Sequence, residues 1–109
     1  MIRGAQLGCK VTIGNNVTEI PKRMFLGSNI IQVEFETGSV CASIGKLAFA
    51  SCENLLNLHL PSTIERIDAT AFMDTVSVKN IYLDNIDQWF NYSFGNVSLS
   101  YYEYHNYYL

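Results

Sequence analysis

The chain has 109 residues, a length that predicts one domain rather than two independent cores. Its formal net charge is −3, from 7 basic and 10 acidic side chains. A hydrophobic share of 49% against 16% charged residues excludes a disordered, solvated chain. The chain offers no basic patch for phosphates and no apolar run near the roughly 20 residues of a membrane span, so nucleic-acid binding and membrane insertion are both disfavoured.

The start of the chain does not have the features of a secretory signal. Met1 to Gly8 is too short and too mixed in character for one. The protein is therefore expected either to stay in the cytoplasm or to be the mature or truncated part of a longer exported product, and the sequence leaves both compartments open.

The first predicted strand covers residues 10–13, and no polar cap precedes it. An uncovered strand of a parallel sheet leaves backbone donors and acceptors that can pair with another chain. Unless the chain is a fragment, we expect self-association, or the docking of a partner, at this N-terminal edge strand.

Four segments along the chain share an apolar–polar–apolar pattern, and their starts lie 22, 25 and 23 residues apart. They are Val11-Thr12-Ile13, Val33-Glu34-Phe35, Leu58-His59-Leu60 and Ile81-Tyr82-Leu83. A second apolar pair and then a phenylalanine follow each of the first three, the phenylalanines being Phe25, Phe49 and Phe72. Landmarks that recur in one order indicate a solenoid, in which stacked coils bury one another's apolar side chains in columns.

The unequal spacing of the repeats has a local cause. The second unit has Glu36-Thr37-Gly38-Ser39 where the third has only Pro61-Ser62. Gly, Ser and Thr favour turns, and a solenoid accepts insertions in turns without shifting its stacked strands. We therefore predict one internal column of Val11, Val33, Leu58 and Ile81, a second of Ile13, Phe35, Leu60 and Leu83, and a third of the phenylalanines on the opposite wall.

The middle units resemble the BspA-like leucine-rich repeat. The family's pattern I-G-x-x-A-F-x-x-C-x-x-L is matched by Ile44-Gly45-Lys46-Leu47-Ala48-Phe49-Ala50-Ser51-Cys52-Glu53-Asn54-Leu55. The first unit departs from it with Pro21 for Gly and Ser28 for Cys, and the third with Asp68 and Thr75 at these positions. The stretch around Trp89 and Phe90 resembles a Trp-containing coil that closes such arrays.

This resemblance implies an α/β fold, a short right-handed leucine-rich-repeat solenoid of about four coils with a parallel sheet on its concave face. We expect a single domain over residues 1–109, with coils at about 10–32, 33–57, 58–80 and 81–96 and a tyrosine-rich C-terminal cap at 97–109. Members of the family are mostly binding proteins, frequently cell-surface or secreted adhesins, and the resemblance implies no catalytic residue.

The candidate binding surface is the outward face of the predicted sheet, because strand side chains alternate between its two faces. Its central column is Thr12, Glu34, His59 and Tyr82. One flanking column is Lys10, Gln32, Asn57 and Asn80, and the other is Gly14, Glu36, Pro61 and Asp84. Aromatic, imidazole and amide groups favour recognition of a partner by Glu34, His59, Tyr82, Gln32, Asn57 and Asn80, although any exposed strand needs polar residues.

No pattern in the chain predicts catalysis, a cofactor or a metal. His59 with Glu34 forms neither a nucleophile system nor a metal shell. Asp84 and Asp87 fit the capping of a helix start. The cysteines, Cys9, Cys41 and Cys52, are expected to be buried, reduced thiols, because their number is odd and their spacing fits no zinc or redox motif.

The C-terminal end is rich in tyrosine. Large amphipathic rings can cover the core exposed by a last coil, which is the role we expect for Trp89, Phe90 and Phe94. Tyrosine also gives large contact area at low entropic cost, so Tyr101, Tyr102 and Tyr104 are equally candidates for partner contacts.

The pattern favours a non-enzymatic protein–protein interaction module, which binds through the concave sheet face and the tyrosine-rich end. An adhesin fragment, a small inhibitor and a structural repeat in a surface assembly all fit. The alternative is a carbohydrate-binding surface module, since Tyr and Trp stack on sugars and Asn and Asp bond to hydroxyls.

Overall fold

The computed structural model describes residues 8–83 and 106–108. These residues form parallel strands that are connected by turns. Long and short strands alternate along the chain. They are β1 (Cys9–Ile13), β2 (Glu19–Ile20), β3 (Ile30–Phe35), β4 (Ser43–Ile44), β5 (Asn57–Leu60), β6 (Arg66–Ile67), β7 (Asn80–Leu83) and β8 (Asn106–Tyr108).

The strands form two parallel sheets on different walls of a solenoid. The long strands pair in the order β1-β3-β5-β7-β8, and the short strands in the order β2-β4-β6. The coils that begin at β1, β3 and β5 therefore each contribute one long strand, one short strand and a turn, and equivalent parts of successive coils stack on one another. The described strands make about 3 turns of a parallel β-solenoid, so the expectation of about four coils is not confirmed. In the part of the chain that is described, no helix is long and apolar enough to cross a membrane.

The turn around Phe25 shows why a helix does not form there. The Met24 amide bonds within the turn, to the Pro21 carbonyl at 3.2 Å, whereas the next amide, that of Phe25, donates to Ala48 of the following coil at 2.8 Å. A positive φ of 61° at Arg23 further interrupts helical geometry. The α/β class is accordingly not confirmed, because residues 8–83 hold strands and turns but no helix.

The register of the long strands agrees with the predicted columns. Val11 pairs with Val33, Val33 with Leu58, and Leu58 with Ile81. The last three side chains of this column are fully buried, whereas Val11 in the first coil is only partly covered. Burial therefore rises from the first coil into the array, as expected when each coil is covered by its neighbours.

The phenylalanines form the predicted column on the turn wall. The rings of Phe25 and Phe49 have centroids 5.1 Å apart and planes inclined by 11°, and those of Phe49 and Phe72 are 5.3 Å apart and inclined by 8°. Phe49 and Phe72 are completely buried. The nearly parallel rings fill the same space in successive coils and fix the stacking distance along the axis.

A hydrogen-bonded column joins the coils behind the phenylalanines. The Thr75 hydroxyl donates to the Phe49 carbonyl at 2.5 Å, and accepts the Cys52 amide at 3.1 Å. One coil earlier, the Cys52 thiol donates to the Phe25 carbonyl at 3.1 Å. Threonine can therefore replace the family's usual cysteine in the third unit, because both side chains donate to the carbonyl of the preceding phenylalanine.

The prediction for the cysteines is confirmed for two of the three. Cys41 and Cys52 are buried and free, and burial raises the pKa of both thiols, which keeps them protonated and unreactive. Cys9 is free but exposed, which contradicts the expectation of burial. It lies on β1, at the end of the described sheet, where only one neighbouring strand covers it.

Pro21 directly follows β2, the end strand of the described short-strand sheet. In the next two coils the equivalent residues, Gly45 and Asp68, donate their amides to Ile20 and Ile44 of the preceding coil at 2.8 and 2.9 Å. Proline has no amide hydrogen, so the first coil cannot offer this bond to a further strand. At this wall the edge therefore lacks one of the backbone donors that join the following coils.

Candidate functional site

The outward face of the long-strand sheet brings together the residues that the sequence pattern placed there. Lys10, Gln32, Asn57 and Asn80 follow one another in register across β1, β3, β5 and β7. In the central column Thr12 pairs with Glu34, and His59 pairs with Tyr82. Since Val33 pairs with Leu58, the same register places Glu34 beside His59.

The flanking column is partly occupied by its own hydrogen bonds. The Asn80 amide nitrogen donates to the Asn57 side-chain oxygen at 2.7 Å, and the Gln32 amide nitrogen donates to Glu34 at 3.2 Å. All four side chains are half-buried. These groups therefore hold the face in one arrangement, and a partner would meet a row of polar side chains that is already ordered.

The centre of the face is a stacked pair of rings. The centroids of His59 and Tyr82 are 4.1 Å apart and their planes are inclined by 11°. Burial lowers the pKa of His59 below its usual value of 6.5, while the negative charge of Glu34 opposes this shift. His59 is therefore neutral at pH 7, and it joins Tyr82 in a single rigid aromatic element.

A groove runs beside this stacked pair, where the long strands end. It has a volume of about 560 Å³ and is lined by Phe35, His59, Tyr82, Leu83 and the turns of residues 36–39 and 60–63. The wall at residues 36–39 is the turn of the second coil that is two residues longer than its counterpart in the third. Its first side chain is fixed, because the Asn15 amide donates to Glu36 Oε1 at 2.8 Å.

The importance of this turn was not predicted from the sequence. From the sequence, the insertion is expected only to be an irregularity that a solenoid tolerates. A longer turn at the end of a strand also rises above its neighbours, so the insertion itself was the available signal for a groove wall. Glu36 lies next to Gly14, as the second flanking column predicts. A Cβ built on Gly14 would be 3.7 Å from Glu36 Oε1.

A second groove, of about 480 Å³, lies on the short-strand sheet. Glu19, Ser43 and Arg66 project there in register from β2, β4 and β6. Asp68 at its rim has a lowered pKa, because the hydroxyl and amide of Thr70 both donate to its carboxylate, at 2.7 and 2.8 Å. These bonds close a local turn and give the carboxylate a structural role.

Among the described residues, polar side chains and a stacked aromatic pair border one groove. Within residues 8–83 and 106–108, no group of three or more His, Cys, Asp and Glu side chains could hold a metal ion. His59 has Glu34 and Tyr82 as its neighbours on the adjacent strands. Tyr101, Tyr102, Tyr104 and the residues from Asp84 to Phe94 named above lie outside the described residues.

Comparison with known proteins yields one family. The family described as the BspA type leucine rich repeat region matches residues 5–106, with 6 copies of the repeat. Neither a curated protein nor a solved structure gives a significant match.

Proposed function

The chain belongs to the BspA-type leucine-rich-repeat family, and from this premise we propose that it is a non-catalytic module for binding another protein. Solenoids of this family are typically non-catalytic and typically serve protein interactions. The outward face of the long-strand sheet is the proposed contact surface, with the tyrosine-rich end as its extension.

The stacked pair of His59 and Tyr82 is the observation that supports this proposal best. Aromatic rings contribute much of the binding energy of protein interfaces, and rings that are already fixed lose little entropy on binding. With a centroid distance of 4.1 Å the two rings support each other beside an open groove. The proposed contacts are Glu34, His59 and Tyr82 at the centre, Gln32, Asn57 and Asn80 at the flank, and Tyr101, Tyr102 and Tyr104 at the C-terminal end.

Two biological settings fit such a module. In an adhesin, the face would hold a protein of another cell or matrix. In a small inhibitor, it would cover the working surface of a target protein. Both need a rigid face and no chemistry of their own, which is what a short solenoid supplies.

Carbohydrate binding is the second candidate, and one feature of the groove favours it. Four residues with hydroxyl side chains, Thr37, Ser39, Ser62 and Thr63, line the same groove as the aromatic pair. Sugars are held by stacking on rings and by hydrogen bonds to their hydroxyls. Screening the protein against immobilised glycans separates the two candidates: saturable binding to one glycan that disappears in Tyr82→Ala would overturn protein binding.

The protein-binding proposal is tested with a partner captured from the native source. We expect Tyr82→Ala to weaken the captured complex by about tenfold or more, the effect of removing an interface hot spot. Ser43→Ala changes a half-buried residue of the short-strand sheet and is the matched control. Equal affinity of the wild type and Tyr82→Ala would contradict the proposal.

Self-association through β1 remains a separate proposal. β1 is the end strand of the described sheet, and its residues Lys10 and Thr12 are exposed. Pro21 removes one backbone donor from the neighbouring short-strand edge, so β1 is the more favourable edge for pairing with a second copy. Light scattering at micromolar concentration tests this proposal, which predicts a mass above that of one 12.3 kDa chain; a strict monomer contradicts it.

A further inference from the structure

The groove beside the His59–Tyr82 pair is negatively charged. Glu36 is the only described lining residue with a formal charge at pH 7, because His59 is neutral there. Glu34 adds a second carboxylate beside His59. The basic residue of this face, Lys10, lies in the opposite flanking column on the edge strand and does not line the groove.

The Glu36 carboxylate is positioned in advance of any binding. The Asn15 amide holds its Oε1 at 2.8 Å, and the Glu36 amide is anchored to the Ile13 carbonyl at 3.0 Å. Among residues 8–83, no hydrogen bond involves its Oε2. A hydrogen-bonded carboxylate with one oxygen still able to accept therefore lines the same groove as the aromatic pair.

We propose that this groove receives a basic side chain of the partner protein, arginine in preference to lysine. The inference rests on the proposed function and specifies the chemistry of the partner at the same face. A guanidinium group pairs with carboxylates in a planar geometry, lies against aromatic rings and is weakly hydrated. An acidic segment would instead place its charge against Glu36 and Glu34.

The test uses the whole chain, labelled with nitrogen-15, and short blocked peptides as probes. Acetyl-Gly-Arg-Gly-amide is titrated against the same peptides with lysine, with glutamate and with citrulline, the neutral counterpart of arginine. We expect the arginine peptide to shift the amide resonances of Glu36, His59 and Tyr82 at millimolar concentration. The citrulline and glutamate peptides should leave them unchanged, and 0.5 M salt (about a 4 Å screening length) should weaken the arginine response.

Glu36→Gln isolates the charge of the carboxylate. Glutamine keeps the side-chain oxygen that accepts the Asn15 amide, so the turn should stay folded. We expect this variant to weaken binding of the arginine peptide by about two- to fivefold, the range for an exposed ion pair. Glu65→Gln removes an exposed carboxylate next to the short-strand sheet and should leave the affinity unchanged.

Acidification provides an independent readout. His59 faces Glu34 on β3 and Tyr82 on β7, and Glu36 lies on the turn that lines the same groove. A proton on His59 places a positive charge beside the bound guanidinium, so affinity for the arginine peptide should fall as the pH decreases from 7.5 to 5. His59→Asn should abolish this pH dependence.

Three outcomes would overturn the inference. They are equal binding of the arginine and citrulline peptides, an unchanged affinity in Glu36→Gln, and shifts of the same resonances by neutral maltotriose that Glu36→Gln does not alter. Failure of this inference differs from failure of the proposed function. A captured partner that is lost in Tyr82→Ala but insensitive to Glu36→Gln and to salt leaves protein binding intact and removes only the basic side chain.

Discussion

Single side chains decide how neighbouring coils are joined. Thr75 is completely buried and polar, and it satisfies both the Cys52 amide and the Phe49 carbonyl. Arg23, Leu47, Ser51 and Asp74 adopt positive φ angles of 55–61°. Ser51 and Asp74 occupy the positions equivalent to Gly27, so successive coils repeat the same backbone shape even where the side chain is unfavourable for it.

Thr75→Val should destabilise the protein. Valine has a similar shape but removes both hydrogen bonds of the hydroxyl and leaves the Cys52 amide without this acceptor. Loss of a partner for a buried backbone group costs about 1–3 kcal/mol of unfolding free energy. Urea unfolding measures the change, and Thr75→Ser, which keeps the hydroxyl, should lose clearly less. Equal stability of the valine variant and the wild type would show that the bonds are dispensable.

His59 should make stability depend on pH. Burial lowers its pKa in the folded state below the value of 6.5, so folding favours the neutral ring. Just below pH 6.5 the unfolded chain therefore binds more protons than the folded protein. The contribution of His59 to the unfolding free energy is complete above pH 6.5 and is lost as the pH falls through the folded pKa. Unfolding free energies measured from pH 7.5 to 5 should decrease.

The same series in His59→Asn provides the control. Asparagine does not titrate in this range, and the slope of unfolding free energy against pH should flatten. A slope that is identical in both proteins would contradict the assignment to His59.

At the scale of elements, the backbones of neighbouring coils approach each other closely where the short strands stack. Gly45 shows this at the wall of the short strands. A Cβ at this position would come within 2.9 Å of both the Ile20 carbonyl oxygen and the Lys22 amide nitrogen. Both atoms belong to the backbone of the preceding coil, which cannot move aside as a flexible side chain would.

Gly45→Ala should therefore separate the first and second coils locally. Overpacking of this kind costs about 1–3 kcal/mol of unfolding free energy. Gly14→Ala is the matched control, because its Cβ would meet only Glu36 Oε1, at 3.7 Å, and its φ is not positive. Thermal unfolding of the two variants compares them. The steric argument fails if Gly45→Ala unfolds at the same temperature as Gly14→Ala.

The elements also show which features of the fold could be predicted from the sequence. The repeat spacing predicted the register of Val11, Val33, Leu58 and Ile81 correctly, because buried strand positions demand apolar side chains at a fixed interval. It did not distinguish a helical turn from other turns, since that choice depends on amides donating to the next coil. The exposure of Cys9 and the groove beside His59 could not be predicted, because both depend on which neighbours cover a position.

For the whole molecule, stability should follow the order of the coils. A coil inside the array is covered on both sides, whereas the first described coil is covered on one. Ala48 and Met24 occupy equivalent positions, directly before the phenylalanine of their coils. Ala48 is completely buried, whereas Met24 in the first coil is 58% exposed. The contacts of a solenoid are mainly between nearest neighbours, so a side chain in the middle supports two interfaces.

Phe49→Ala should therefore cost more than Phe25→Ala. Phe49 is stacked on both Phe25 and Phe72, and its removal should cost about 3–5 kcal/mol of unfolding free energy. Phe25 is only partly buried and contacts one ring of the column, so its removal should cost less. Chemical denaturation of both variants checks the order, and an equal loss would mean that the coils do not unfold as coupled neighbours.

The parallel register of the long strands has a consequence for measurement. Strands in a sheet lie about 4.8 Å apart, so functional groups on successive coils are separated by multiples of one fixed step. Inserting one further coil of the same pattern between the second and third would move Glu34 away from His59 by a single step of about 4.8 Å, while the aromatic pair itself stayed intact. The number of coils between a charged residue and an aromatic ring on this face therefore determines the distance between them.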